Sequence, residues 1–332
     1  MRLRALLLFS LTTLVAAAAS PPAADPSPPA NPPVKALRIT VLSTMLAGDN
    51  EKGIGEWGFA ALVEVDGHRL LFDTGNRPYT VRENARELGI DLSDITEVVL
   101  SHHHSDHTGG LLTLRRAYIG KNPAALSRVH VARGAFWSRG PGEYAGDDNP
   151  LIAIRPVFEA GGGVFIEHAE PVQLYPGVWF TGPIPRPRNE QPVPPGWIVR
   201  TPDGATVPDT VPDDAALVFD TVKGLVVLTG CGHAGLINTL EYARTVVRPG
   251  GSVYAITGGF HQMRITEAGL ESTAKDLRAF GVRVIHGAHC TGLETVYRLR
   301  SLLDLPRESA SVAAVGSWFD LDQGIHPLVI AR

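Results

Sequence analysis

Past residue 36 the chain alternates between two spacings of its apolar residues. Leu37-Arg38-Ile39-Thr40-Val41-Leu42 has the period of two expected of a strand with one buried face. Residues 60–65 and 69–72 are β-rich and flank Asp66-Gly67, a dipeptide that closes tight hairpins. Residues 80–88 space their apolar side chains at helical intervals and stop at Gly89. Further strands are predicted at 97–100, 129–132, 163–167, 178–181, 215–220 and 225–229, and a helix at 111–117. In the last third, helices are expected at 236–246, 267–280 and 293–303, and strands at 253–257 and 282–285. Hairpins and crossovers therefore occur in both halves. That mixture predicts an α+β fold in which two packed sheets are covered outside by helices. Residues 183–212 are proline-rich with little periodicity, and a loop of that length is a lid or a surface excursion. Trp197, Arg186 and Arg188 suit a lid.

The N-terminus follows neither spacing. Arg2 and Arg4 precede an apolar run from Ala5 to Ala19 that ends in small residues, with Pro21 and Pro22 following at once. This is the layout of a secretory signal, residues 1–19, cleaved after Ala19. An uncleaved anchor is the alternative, because the run approaches bilayer-spanning length. Residues 20–36 then form a Pro-rich linker and residues 37–332 the folded domain. The expectation is a periplasmic or secreted protein with no stable membrane insertion after cleavage. A chain with 44% hydrophobic and 19% charged residues is globular rather than disordered. Its net charge of −4 carries no basic footprint, so nucleic acid is excluded and a small-molecule substrate is expected. Oligomeric state is left open.

The predicted strand at 97–100 runs into Ser101-His102-His103-His104-Ser105-Asp106-His107-Thr108-Gly109-Gly110. Imidazole and carboxylate are the ligands of zinc, iron and manganese. In a tight loop His102 and His104 can face one ion while Asp106 and His107 face a second one close by. Two such ions can activate a water and polarise a substrate oxygen. A chance polar loop would not gather four of the chain's 12 histidines into six residues. A tract that merely adsorbs metal would not explain the strand before it and the glycine pair after it.

Asp73-Thr74-Gly75 after a strand, followed by this Ser-His-x-His-x-Asp-His-Thr-Gly-Gly run, resembles the opening motifs of the metallo-β-lactamase superfamily. Gly230-Cys231-Gly232-His233-Ala234-Gly235, Gly258-Gly259-Phe260-His261 and His289-Cys290-Thr291-Gly292 extend the resemblance to a subgroup of that superfamily. Its members are known as 7,8-dihydropterin-6-methyl-4-(β-D-ribofuranosyl)aminobenzene-5′-phosphate synthase-like proteins. The resemblance spans residues 37–332 and implies an αββα sandwich with two divalent metal ions, zinc first and iron or manganese as alternatives, at one edge between the sheets. It implies that Asp73 orients the histidine loop without binding metal.

The better-known hydrolases carry an isolated histidine, then an aspartate that bridges the metals, then a final histidine. Here Gly-Cys-Gly-His stands where the bridging aspartate is expected. Either His233 reaches the first metal or Cys231 replaces the carboxylate; His233 is the preferred ligand. His289 is expected as the last ligand of the second metal. His261 could be a ligand, a general acid or a substrate contact. His103 and His286 read as structural or solvent-facing. Asp213-Asp214 falls where the isolated histidine usually lies, and a carboxylate there could bind metal or be solvated. Cys231 and Cys290 are open to three readings: ligands, free thiols or a disulfide. Glu56-Trp57-Gly58 is expected near the mouth.

The activity expected is that of an exported metal-dependent hydrolase. A metal-bound hydroxide would attack an ester, amide, thioester or phosphoester, with Asp106 orienting it and His261 protonating the leaving group. The alternative is the subgroup's pterin-pathway transferase chemistry on a phosphorylated ribofuranosyl substrate, placed second because an exported protein would not meet that compound. A non-catalytic periplasmic metal- or ligand-binding protein is the other alternative. A β-lactamase would share the first motif but not the Gly-Cys-Gly-His and His-Cys-Thr-Gly segments.

Overall fold

A computed structural model of the chain describes residues 32–142, 147–190 and 196–331. The expected signal segment 1–19 and linker residues 20–31 lie outside the described residues. Among the described residues no helix is long and apolar enough to cross a membrane.

Two large sheets form the centre. The first runs, edge to edge, Gly324–His326, Trp318–Asp320, Leu37–Ser43, Ala60–Val65, His68–Phe72, Glu97–Val99, Arg128–Ala132 and Val164–His168. The second runs Ala310–Val312, Val284–Gly287, Val253–Gly258, Gly224–Thr229, Ala216–Thr221, Val178–Phe180 and Val172–Tyr175. Strand alternation explains why they stack. Ile39, Val41, Val63, Leu70 and Phe72 turn inward to meet Phe180, Leu217, Phe219, Val226 and Leu228 of the other sheet. Their neighbours Leu42, Leu62 and Leu71 turn outward, under the helices Thr80–Glu87, Leu111–Tyr118 and Pro150–Ala160. On the far side Val218, Leu225 and Val227 face the helices Leu236–Val246 and Glu267–Phe280. Three cores separate four layers, the αββα sandwich that the resemblance implied.

Strand direction gathers the chemistry. His68–Phe72, Glu97–Val99 and Arg128–Ala132 are mutually parallel, as are Gly224–Thr229, Val253–Gly258 and Val284–Gly287. The segments leaving their carboxyl ends carry Asp73, the histidine loop, Cys231 with His233, His261 and His289. In sheets of this kind ligands collect at the carboxyl ends of parallel strands.

The structure corrects the sequence reading in three places. The first strand named from the sequence begins at residue 37, but packing already begins three residues earlier: Val34 is buried, its N–H donates to the Asp220 carbonyl at 2.7 Å, and it bridges Thr221. The described part of 183–212 is not irregular throughout, because Trp197–Arg200 pairs with Thr206–Pro208 on one side and with Ser138–Pro141 on the other in a small third sheet. Helix Pro150–Ala160 was not expected; Pro156 within it disguises the helical pattern. Its start carries a signal that could have been read, since Asn149 caps the helix by accepting from Leu151 N–H and Pro150 occupies the first turn.

Candidate metal centre

The histidine loop is fixed from behind by Asp73. This carboxylate is fully buried and accepts Ser101 N–H at 2.7 Å, Ser101 Oγ–H at 2.8 Å and His107 Nδ1–H at 2.7 Å. Ser101 has one hydroxyl proton and gives it to Asp73, so at 2.9 Å it accepts from His102 Nδ1–H. In the neutral form of each imidazole Nε2 is thereby the bare nitrogen, the one turned toward a cation. The second sheet closes on the same point because Gly230 has no side chain: a Cβ there would lie 2.0 Å from Ser101 Oγ and 2.7 Å from Asp73 Oδ2.

Three overlapping groups of ligand atoms result, each within 4.8 Å mutually: His102, His104 and His233; Asp106, His107, Cys231 and His289; and Cys231, His233 and His261. His102 Nε2 and His104 Nδ1 are 3.0 Å apart, and the His233 ring centre lies 4.8 Å from each of theirs. His107 Nε2 is 3.2 Å from Cys231 Sγ and 3.9 Å from Asp106 Oδ1, and His289 Nε2 is 3.2 Å from Asp106 Oδ2. The structure thus brings together His102, His104, Asp106, His107, His233, His261 and His289 with Cys231, the residue weighed as an alternative to His233, and leaves Asp213 and Asp214 out of the groups. His261 and His289 hold left-handed backbone conformations, with φ of 49° and 46°. Both are non-glycine residues for which that geometry carries strain, as is common at functional sites.

Electrostatics matches the donor set. Burial, reinforced by neighbouring imidazoles, holds His102, His104 and His233 well below the usual histidine range, so their lone pairs are free. Burial opposes ionising Asp106, but the hydrogen bond to His289 and the charges of His107 and His289 prevail and keep it a carboxylate. Burial likewise opposes protonating His107, but the charge and hydrogen bond of Asp73 outweigh it and push His107 up to about 9. These residues have the donor chemistry of a divalent-metal site. His233 Nε2 is buried with no hydrogen-bond partner among the described residues, a cost that a cation would remove.

The remaining candidates have other employment. Asp214 accepts Ala234 N–H at 2.7 Å, and burial pushes its carboxyl up to about 7, so it holds the loop of His233. Asp213 accepts His103 N–H at 2.8 Å, lies 3.1 Å from His103 Nδ1 and pairs with Arg139 at 3.3 Å. His103 and His286 are both buried, not solvent-facing; His286 Nε2 is 3.1 Å from Ser317 Oγ. The cysteines form no disulfide. Arg186 donates to the carbonyls of His233, Thr210 and Val211, and Arg188 pairs with Glu241 and Asp276. Neither arginine is thus presented to a substrate as the lid reading supposed. Glu56 is buried and accepts from Ser43 Oγ, Asn76 N and Arg77 N, while Trp57 is 44% exposed with its ring 4.8 Å from that of His289. A groove of about 450 Å³ lined by Arg38, Arg69 and Trp318 shares none of these residues. The Arg139–Asp213–His103 chain was missed by the sequence reading, since nothing in the sequence links an isolated arginine to an aspartate 74 positions away.

The family model of the metallo-beta-lactamase superfamily matches residues 58–247. The chain belongs to that superfamily. The 7,8-dihydropterin-6-methyl-4-(beta-D-ribofuranosyl)-aminobenzene-5′-phosphate synthase of Methanocaldococcus jannaschii is 30% identical to it over 265 residues, 78% of this chain and 88% of that protein. A crystal structure described as a metal-dependent hydrolase of the beta-lactamase superfamily matches with a TM-score of 0.66 and 29% identity, over 85% of this chain and 98% of its own. Zn(2+)-bound PqqB from Methylobacterium extorquens shares the fold, at TM-score 0.51 and 14% identity over 86% of this chain and all of that one. With a synthase among the relatives that span most of this chain, the weight moves from the hydrolase expected first to the synthase-like alternative.

Proposed function

We propose that the chain is a metal-dependent enzyme that performs synthase chemistry of the kind named for its archaeal relative, on a flat heteroaromatic substrate with an oxygen leaving group. The observation that carries metal dependence is the overlap of the ligand groups, which contain His102, His104 and His233 for one ion and Asp106, His107 and His289 for the other. Synthase chemistry is supported by the 30% identity to that relative. Exposed Trp57 beside His289 offers a flat face to a ring system.

The product named for the relative joins a dihydropterin methyl carbon to an aminobenzene nitrogen. Forming that bond requires a C–N bond to be made, a carbon–oxygen bond to the leaving group to be broken, and one proton to leave the amine. Bound divalent ions would supply Lewis acidity toward the departing oxygen. His261 would take the amine proton. Its ring stands 4.5 Å from that of His233. Burial works against its charged form, but the hydrogen bond and charge of Cys290 outweigh burial and raise it above the ordinary histidine value. Asp106 stays ionised and orients the reacting group.

Hydrolysis by the same residues is the second reading, favoured by the match to the metal-dependent hydrolase structure. It differs in the nucleophile, water replacing the amine. We further propose export, directed by residues 1–19. An exported synthase would need both substrates outside the cytosol, so cell fractionation with sequencing of the mature N-terminus also separates the two readings.

The direct test supplies metal-loaded protein with an activated dihydropterin and an aminobenzene ribofuranosyl 5′-phosphate, and in parallel with ester, thioester and phosphodiester panels. Amine-linked product, abolished by chelation and restored by metal, supports the synthase. Turnover of the panels alone transfers the assignment to hydrolysis. Neither activity in a metal-replete protein leaves a binding scaffold. Trp57→Ala should raise KM for the ring-bearing substrate about 2- to 10-fold with metal content unchanged, the value of one lost aromatic contact. An unaltered KM would remove Trp57 from the substrate site.

A further inference from the structure

We propose that Cys231 supplies a thiolate shared by the two cation positions, where the better-known hydrolases of the superfamily use a bridging carboxylate. The proposal rests on the metal-dependent reading above and adds to it the identity of the central ligand.

Cys231 Sγ belongs to two of the three ligand groups. It stands with Asp106, His107 and His289 in one, and with His233 and His261 in another, while His233 belongs to the group of His102 and His104. It is grouped directly with the ligands of the Asp106 side, and it adjoins the His102 side through His233. Its contact with His107 Nε2, at 3.2 Å, is to a nitrogen already aimed by Asp73 through the opposite edge of the ring. The backbone that carries it is fixed, because Gly230 is wedged against Ser101 and Asp73. The unpartnered, buried Nε2 of His233 provides a second sign that a cation belongs beside the sulfur.

The two other carboxylates near this place have partners, although Asp214 Oδ1 is buried without a hydrogen-bond partner among the described residues. Asp214 accepts Ala234 N–H, and Asp213 faces His103 and Arg139. The second cysteine does a different task. Cys290 Sγ accepts His261 N–H at 3.3 Å and lies 3.5 Å from the Cys231 carbonyl oxygen, joining two loops by their backbones. It enters none of the ligand groups found among the described residues.

On binding, the Cys231 S–H bond breaks, its proton passes to solvent, and the sulfur electron pairs go to the cations. A thiolate is softer than a carboxylate, so the pair is biased toward zinc and away from manganese.

The experiment loads the full-length protein with cobalt(II) and reads bound metal together with near-ultraviolet absorption, where thiolate-to-cobalt charge transfer appears. Wild type and Cys290→Ser should bind cobalt and show the band, and Cys231→Ser should lose it. Cys231→Asp, which restores a carboxylate and covers the case in which the serine variant fails to fold, should bind cobalt without the band and lose the preference for zinc over manganese. Metal should also protect one wild-type thiol from a thiol reagent. Two cobalt ions per chain without the band in wild type, or a band that persists in Cys231→Ser or Cys231→Asp, would overturn the shared thiolate and leave the metal centre standing. Failure of wild type to bind cobalt would overturn both.

Discussion

Replacing Asp73 by asparagine changes one atom of a residue that touches neither cation position, and the consequence can be worked through in both directions. The two carboxylate oxygens accept three hydrogen bonds, from Ser101 N, Ser101 Oγ and His107 Nδ1. An amide has one oxygen, so its NH2 must face a donor. If the oxygen stays with His107 and Ser101 Oγ, the NH2 meets the buried Ser101 N–H. Loss of an orienting partner behind a metal-binding histidine lowers metal affinity about 10- to 100-fold. A second effect opposes this. Asp73 holds His107 up at about 9, so in wild type at pH 7 a proton must leave before the ring binds metal. That competition weakens wild-type affinity at pH 7 by roughly 100-fold relative to pH 10, and by almost nothing once the ring has its ordinary pKa near 6.5. Asp73→Asn should therefore bind zinc at pH 7 as tightly as wild type or up to about 10-fold more tightly, and fall about 10- to 100-fold below it well above pH 9. Competition with a chromophoric chelator across that range measures both. Parallel pH profiles for the two proteins would refute the idea that Asp73 charges and orients His107.

Two further outcomes concern groups away from the cations. Burial depresses His286 to about 3, so between about 6.5 and 3 the unfolded chain binds the extra proton; stability falls as pH drops through that window, by roughly 2 kcal/mol between pH 7 and 5. His286→Gln should flatten that slope in urea unfolding, and an unchanged slope would assign acid sensitivity elsewhere. Arg139, 1% exposed, pairs with buried Asp209 and Asp213; Arg139→Met would strand two carboxylates and destabilise by about 3–5 kcal/mol, whereas Arg139→Met with Asp213→Asn and Asp209→Asn should recover much of the loss. Equal unfolding midpoints for the single and triple variants would show that the arginine is not their counter-charge.

Most of the sandwich was legible because its strands alternate cleanly between two apolar surroundings, as Leu70, Leu71 and Phe72 do between the inner and outer cores. What escaped has a local cause. The strands Ala310–Val312, Trp318–Asp320 and Gly324–His326 have three residues each, too short to display a period. Ser138–Pro141 and Thr206–Pro208 owe their existence to partners, not to composition. At the site, His102, His104, Asp106 and His107 were readable because one loop holds them all. The later ligands come from three separate loops, so their convergence depends on strand direction and register, which periodicity does not encode. Cys231 and Cys290 look alike in sequence, each beside a histidine. Only the fold separates the sulfur that enters two ligand groups from the one set behind them, against His261 and the Cys231 backbone.

That convergence would give bound cations a structural role. His102, His104, Asp106 and His107 follow a strand of the first sheet, whereas Cys231, His233, His261 and His289 follow strands of the second. Each main ligand group draws from both: His233 joins His102 and His104, and Cys231 with His289 joins Asp106 and His107. A cation in either place therefore clamps the two halves of the sandwich at one edge, and unfolding must release it. At a free metal concentration 1,000 times the dissociation constant, each site would add about 4 kcal/mol to stability. Chelation should accordingly lower Tm in two steps, with His104→Ala abolishing one and His289→Ala the other. Hydrogen exchange should increase first in the loops at the carboxyl ends of both sheets. If the metal were merely adsorbed on the histidine loop, only the first sheet's loop would respond, and Tm would not change when the metal is withdrawn.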